Sequence, residues 1–468
     1  MNNSRSLWLV SLLLVATVAS YGRLETATKR PLWLDEHFTR QISTLPSLGD
    51  VYKSSVLDFN GDTPVLYPAA SWVLYRWLSP RWAVRLTSIV SGVAAVVLLA
   101  LVGRVLFGRR TGLIAGSLLA LCVYHINYSQ DGRAYALLGC GATAQFYFLV
   151  CYLGKGRARD VVGWGLSAMV SLYAHHFSMI YVVCGLAVAA ITLVANAMRR
   201  GAARDAQANP AAPPQNASGT DTGAADSLPG SAMPDGAAGT VLSRMVAPVV
   251  VLLAMAALYA PGLKTFIAFA SRPRIGEPHT LNLSVKFFSE LIGRWGNGSQ
   301  WSVIYAIFLA LGVWSVLYRR GLTLACLLWL AAPFALFGFV PFTKFFDIRY
   351  LIGSLPVFIL LVAEGIAVVS RIGAPLGRKS GASGRIAGKI RYADLPSLAV
   401  FGFLLCLSVS TYIDFRQTAT RCSSFFEAPE LMDIDDGFCG KHLILNSLHG
   451  PHSFLLKPTA TSDKRRDP

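Results

Sequence analysis

The sequence predicts an all-α membrane protein: a polytopic bundle of about eleven transmembrane helices, with interfacial helices in its first external loop. Three observations predict it. Hydrophobic residues fill 54% of the 468 positions and charged residues only 14%, against about 25% charged in soluble domains, and the mean hydropathy is +0.49. Several apolar runs reach or approach the roughly 20 residues that cross a bilayer as a helix. Basic residues cluster between alternate runs, as the positive-inside rule requires of cytoplasmic loops.

Read over a window of about 19 residues, the spans fall near 7–21, 83–106, 112–127, 134–153, 161–175, 177–198, 245–263, 300–318, 322–340, 350–370 and 395–413. The first run has the length of a signal peptide, but no convincing cleavage site follows, and it is read as a retained helix. With the N-terminus inside, every second connection is cytoplasmic. Those connections hold Arg104/Arg109/Arg110, Lys155/Arg157/Arg159, Arg199/Arg200, Arg319/Arg320 and the basic stretch from Arg371 to Arg391. The formal charge of +17 therefore orients helices and does not mark a nucleic-acid partner.

The organisation follows from the spans. Residues 1–200 form an N-terminal transmembrane module whose first external loop is 22–82. Residues 201–241, rich in Ala, Gly, Pro and Ser, read as a disordered cytoplasmic linker. A second transmembrane module covers 242–370, a basic cytoplasmic linker 371–393, a last helix 394–413 and an external tail 414–468. In the first loop, "TPVLYPAASWVLYRWL" (63–78) is aromatic but broken by Pro64 and Pro68. It is expected to lie in the interface plane with Trp72, Tyr75 and Trp77 at headgroup depth, a shelf beside Asp35. Six cysteines, Cys122, Cys140, Cys151, Cys184, Cys326 and Cys406, sit in apolar runs as packing residues. Cys422 and Cys439 lie in the tail, where an oxidising compartment would allow them to pair. No Cys/His metal spacing occurs, and the adjacent His175–His176 lacks the i, i+4 spacing of a helical metal site.

On this topology the polar residues that lipid makes expensive gather on one face: Asp35, Glu36, Asp58, Asp62, Arg85, His125, Tyr128, Gln130, Asp131, Arg133, His175, His176, Lys344, Asp347, Arg349 and Tyr350. Anchoring to headgroups explains a scattered Lys or Arg. It explains "HINYSQDGRAYAL" (125–137) poorly, since charge at that depth usually faces a cavity.

Four segments, "PLWLDEHFTR", "YSQDGRAYALL", "LYAHHFSMIYV" and "IRYLIGSLPVFILL", occur in an order that resembles the C-type (GT-C) integral-membrane glycosyltransferases, bacterial relatives of the protein O-mannosyltransferases and of the lipid A aminoarabinose transferases. The resemblance covers most of residues 1–370. Where relatives tend to read "YSQEARMYAL" this chain has Asp131-Gly132, and it has Thr63 where they carry a histidine in the first loop.

The resemblance implies a sugar donor linked through phosphate to a polyprenyl lipid, used at the periplasmic face of the bacterial inner membrane. The acceptor would belong to the envelope: lipid A, a glycan, a lipid or a protein. A phosphate leaves without protonation, so one base acting on the acceptor suffices, unlike the paired carboxyls of a glycosidase. Asp35 is the expected base. Glu36, beside it in the catalytic pair, points elsewhere because neighbouring residues diverge; it positions the loop, holds a sugar hydroxyl or helps bind a cation, with Arg30 or Arg40 as alternative ion-pair partners. Arg133, Lys344 and Arg349, with Arg85 behind them, are expected on the donor phosphate. Tyr128, Asp131, Tyr350, His125 and Asp62 are expected on the substrate. No metal ligand is assigned, and a divalent cation is the one cofactor left open. The alternative class is a transporter or flippase for a lipid-linked sugar, which would place polar residues at mid-membrane and repeat its halves; no repeat is visible.

Overall fold

The computed structural model describes residues 3–58, 64–208, 241–270, 283–339, 348–379, 385–386, 390–391 and 395–425. Asp62, Lys344, the Cys422–Cys439 pairing and most of the 201–241 linker lie outside what is described. The chain begins with α1 (Asn3–Leu24). The first loop then folds as α2 (Leu34–Ser43), α3 (Leu48–Lys53) and α4 (Leu66–Tyr75). The bundle continues with α5 (Pro80–Leu106), α6 (Arg109–Ala120), α7 (Val123–Ser129), α8 (Tyr135–Lys155), α9 (Ala158–Ala174) and α10 (Ser178–Ala208). After α11 (Val241–Ala270) come α12 (Val285–Trp295), α13 (Ser302–Arg319), α14 (Leu324–Phe339), α15 (Leu355–Lys379) and α16 (Leu395–Phe425). A two-residue antiparallel ladder joins Arg385–Ile386 to Ile390–Arg391.

Each expected span overlaps one α-helix except 112–127, which is divided between α6 and α7. Among the described residues six helices are long and apolar enough to cross a membrane, seven if α6 and α7 count as one broken span bent by 63°. The protein is thus a multi-pass membrane protein. The lower figure arises because α10, α11 and α15 contain shorter apolar stretches, Ser178–Thr192, Pro248–Leu263 and Leu355–Val369, and because α9 is only 17 residues long. α10 and α15 also run on into the stretches expected as linkers, to Ala208 and Lys379.

The core is assembled by α5, which packs against α6 and α8, and by α13 against α15. Close approach in the second pair depends on two glycines. A Cβ at Gly312 would lie 2.0 Å from the Leu361 carbonyl, and one at Gly365 1.9 Å from that of Phe308. In lipid, such close backbone packing is one of the forces that associate helices.

The break between α6 and α7 needs partners, because backbone groups freed inside a membrane find no water. Two side chains supply them. The buried Arg23 of α1 donates to the carbonyls of Ala120 (3.1 Å) and Leu119 (3.4 Å) at the end of α6. From the other side, Asn297 accepts from the Val123 amide (2.8 Å) and donates to the Leu121 carbonyl (3.3 Å).

The two ends of the bundle differ chemically. At one end the buried Glu364 of α15 accepts from Thr111, Ser315 and both terminal nitrogens of Arg371, at 2.7–3.1 Å, with Arg319 at 3.6 Å. This end carries the basic clusters. The first-loop helices gather at the other end. There α4 packs on α2 and α5, Trp72 donates to the Leu45 carbonyl at 2.9 Å, Arg76 lies over its ring, and Trp77 is 82% exposed.

Candidate active site

The acid pair divides at once. Glu36, third residue of α2, turns inward and is wholly buried. Its Oε1 accepts from Arg85 Nε at 2.6 Å and from the Gly132 amide at 2.6 Å; its Oε2 accepts from Arg85 Nη2 at 2.5 Å and from the Trp33 amide at 3.2 Å. Arg85 also donates to the carbonyls of Ala27, Arg30 (3.0 Å) and Pro31 (2.8 Å). Burial alone would push the Glu36 carboxyl up, but the Arg85 guanidinium and the surrounding donors hold it below its usual range.

Two expectations are therefore corrected. Glu36 has no oxygen left for a sugar or a cation, so it is a clamp and not a catalytic group. Its bonded partner is Arg85, with the Arg30 charge acting on it as well, and Arg85, sealed by five acceptor contacts, is no phosphate ligand. The clamp pins α2 to α5 and to the turn after α7. It leaves no space at Gly132, where a Cβ would lie 2.2 Å from Val84 Cγ1 and 2.9 Å from Glu36 Oε1; the glycine in "QDGR" has that reason.

Asp35, one residue earlier, faces the other way. Its Oδ2 lies 4.0 Å from Arg133 Nε and 3.8 Å from Arg349 Nη1. The three side chains keep 25%, 23% and 20% of their surface, enough for a ligand to reach them. They come from three segments far apart in sequence: the first turn of α2, the α7–α8 turn and the 3-10 turn Ile348–Leu351 ahead of α15.

Aromatic rings wall this cluster. The Arg349 guanidinium lies 5.1 Å from the Tyr135 ring centre and 5.7 Å from that of Tyr350. Tyr350 stacks on Phe177 at 4.4 Å. His175, at the end of α9, sits 5.4 Å from Tyr135 and accepts from the Phe177 amide through Nδ1 at 3.2 Å. Sequence reading placed Tyr350 here but assigned no role to Tyr135, His175 or Phe177.

Two other expected substrate contacts are inside the protein. His125 receives the Arg23 guanidinium on Nδ1 at 2.6 Å, and Tyr128 is buried edge-on between Tyr124 and Tyr135. Both lie on α7, whose residues are all buried. Gln130 binds Thr26 and the carbonyls of Gly22 and Arg23.

Asp131 is only 3% exposed and accepts from the Trp33 indole at 2.8 Å, so it too is withdrawn from substrate. Burial, then the Glu36 charge, push its carboxyl up to about 7. The folded state thus binds more protons here than the unfolded chain between pH 3.8 and about 7, and stability contributed at this position is lost as pH rises through that window. The expected result is that thermal unfolding in detergent gives a wild-type minus Asp131→Asn difference that falls from pH 5 to pH 8; a difference flat in pH refutes the shift.

Among the described residues no three His, Cys, Asp or Glu side chains gather as a metal site.

Fold and site together define a multi-pass helical membrane protein with a ligand-accessible carboxylate set between two guanidinium groups at one end of its bundle. Residues 62–204 match the family model described as dolichyl-phosphate-mannose-protein mannosyltransferase. The archaeal oligosaccharyltransferase AglB from Archaeoglobus fulgidus, solved with an inhibitory peptide and a dolichol-phosphate, is 13% identical with a TM-score of 0.54; the match covers 90% of this chain and 56% of that one. ArnT from Cupriavidus metallidurans, in its apo state, is 14% identical over 94% of this chain and 78% of its own, with a TM-score of 0.49. No curated protein matches by sequence. The AglB likeness carries the fold, and the family match runs from the end of the first loop into α10.

Proposed function

We propose that the protein moves a sugar from a polyprenyl-phosphate carrier to an acceptor of the cell envelope, at the periplasmic face of the bacterial inner membrane, with Asp35 as general base. One observation carries this reading: a carboxylate, accessible to ligand, held between two guanidinium groups from separate segments at the end of the bundle away from its basic clusters. The Asp35 carboxylate takes the proton of an acceptor hydroxyl. The acceptor oxygen attacks the anomeric carbon as the bond from that carbon to the phosphate oxygen breaks, and the electron pair leaves with the polyprenyl phosphate. Arg133 and Arg349 bind the charge that gathers on the departing phosphate, where fixed cations lower the barrier most. The rings of Tyr135 and Tyr350 border the space beside them.

Family and fold neighbours support the donor class. The matched family model is described by a dolichyl-phosphate sugar donor, and AglB was solved with a dolichol-phosphate. The test compares envelope glycolipids by mass spectrometry with and without the protein: the mass lost names the sugar and its attachment point, and an unchanged envelope refutes the reading. With purified protein, Arg133→Gln and Arg349→Gln are each expected to weaken undecaprenyl-phosphate binding by about tenfold or more, the worth of a hydrogen bond to a charged group. Wild-type affinity in both variants removes them from the phosphate site.

A further inference from the structure

The turn that bears Asp35 and the turn that bears Arg133 are joined by two hydrogen bonds between otherwise separate segments. One, from the Gly132 amide to Glu36 Oε1, belongs to the clamp. The other, from the Trp33 indole to Asp131 Oδ1 at 2.8 Å, does not, and it is costly, since it withdraws a carboxylate almost wholly from water.

Trp33 is also the residue on which α2 starts. Its carbonyl accepts the amides of Glu36 (2.9 Å) and His37 (3.0 Å), and its own amide donates to Glu36 Oε2. A ring tethered at its far end therefore fixes the roll of the first turn, and Asp35 lies in that turn. The opposing turn has its own support, because Ser88 Oγ donates to the Arg133 carbonyl at 2.9 Å.

We propose that Trp33 and Asp131 form a positioning pair for the Asp35 base: their bond sets the first turn of α2 so that the Asp35 carboxylate meets the acceptor hydroxyl. The proposal rests on the reading of Asp35 as base. The pair touches no substrate. What it requires at position 131 is an acceptor oxygen, not a charge, and a misplacement near 1 Å is enough to cost about a hundredfold in rate.

The test uses cells lacking the chromosomal copy and supplied with each variant, and follows the initial rate at which the glycolipid modified by the wild type accumulates per amount of protein in the membrane. Binding of undecaprenyl phosphate to the purified variants runs in parallel. Trp33→Phe and Asp131→Leu are each expected to slow transfer by up to about a hundredfold, and their combination to be no slower than either alone, as for two halves of one interaction. Asp131→Asn, whose amide oxygen still accepts from the indole, restores the rate to within a few-fold of wild type, and phosphate binding is unchanged in all of them.

The pairing is overturned if Trp33→Phe transfers at the wild-type rate, if Asp131→Asn falls as far as Asp131→Leu, or if phosphate binding is lost together with rate. An envelope that does not change when the protein is absent refutes the transferase reading, and the pairing with it. A wild type that restores the modification beside an equally active Trp33→Phe refutes the pairing alone.

Discussion

Asp35→Asn abolishes sugar transfer and at the same time binds undecaprenyl phosphate more tightly than the wild type. The first half follows from the loss of a general base, a change of about 10²–10⁴-fold. The second follows from the two arginines. They lie 4.0 and 3.8 Å from the Asp35 carboxylate, and an arriving phosphate must compete with that carboxylate and tolerate its charge. The amide removes both penalties, and an affinity gain of up to about tenfold is expected at low ionic strength, shrinking as salt screens the charges. Equilibrium binding and a transfer assay on the same preparation check it. Undiminished transfer refutes Asp35 as base; weaker phosphate binding shows that Asp35 helps to hold the donor and does not oppose it.

Glu36→Ala, by contrast, acts on the fold. Removing the carboxylate leaves the Arg85 guanidinium buried and unneutralised, and breaking one side of a buried pair costs about 3–5 kcal/mol. For a domain of marginal stability that is a large fraction of the total, so a much reduced yield of folded protein and a lowered Tm in detergent are expected. Replacing both partners with apolar residues of similar size, Glu36→Leu with Arg85→Met, removes the orphaned charge and is expected to recover most of the loss. A single variant as stable as wild type overturns the clamp; a double variant less stable than the single shows that the carbonyl bonds of Arg85, not the ion pair, carry the structure.

These two neighbours show what the sequence made legible. Helical geometry alone separates adjacent side chains, which was enough to give Asp35 and Glu36 different tasks. Choosing Glu36 as the inward one needed more, because the residues that share its face, Thr39 and Ser43, are small and polar and leave no apolar stripe to read. For Arg85 the signal was present. It lies in phase with Ser88, Ile89, Gly92 and Val96, all on the buried face of α5, and that periodicity marks a core arginine.

The bundle itself was readable from hydropathy and from the alternation of basic clusters, since lipid constrains both directly. The bend between α6 and α7 was not. A break inside a continuous apolar run is decided by remote side chains, Arg23 and Asn297, which no local pattern announces. Tyr135 and Phe177 escaped for a related reason: an aromatic residue beside a span is ordinarily a packing residue, and only the arrival of Arg349 from a distant segment gives these rings their place.

The Arg23 bonds also bear on biogenesis. When the first helix is made, the guanidinium can bond only the Ala19 carbonyl one turn back on its own helix. Its acceptors at Leu119 and Ala120 are synthesised 96 and 97 residues later, so the final setting of the first helix is completed only when the sixth arrives.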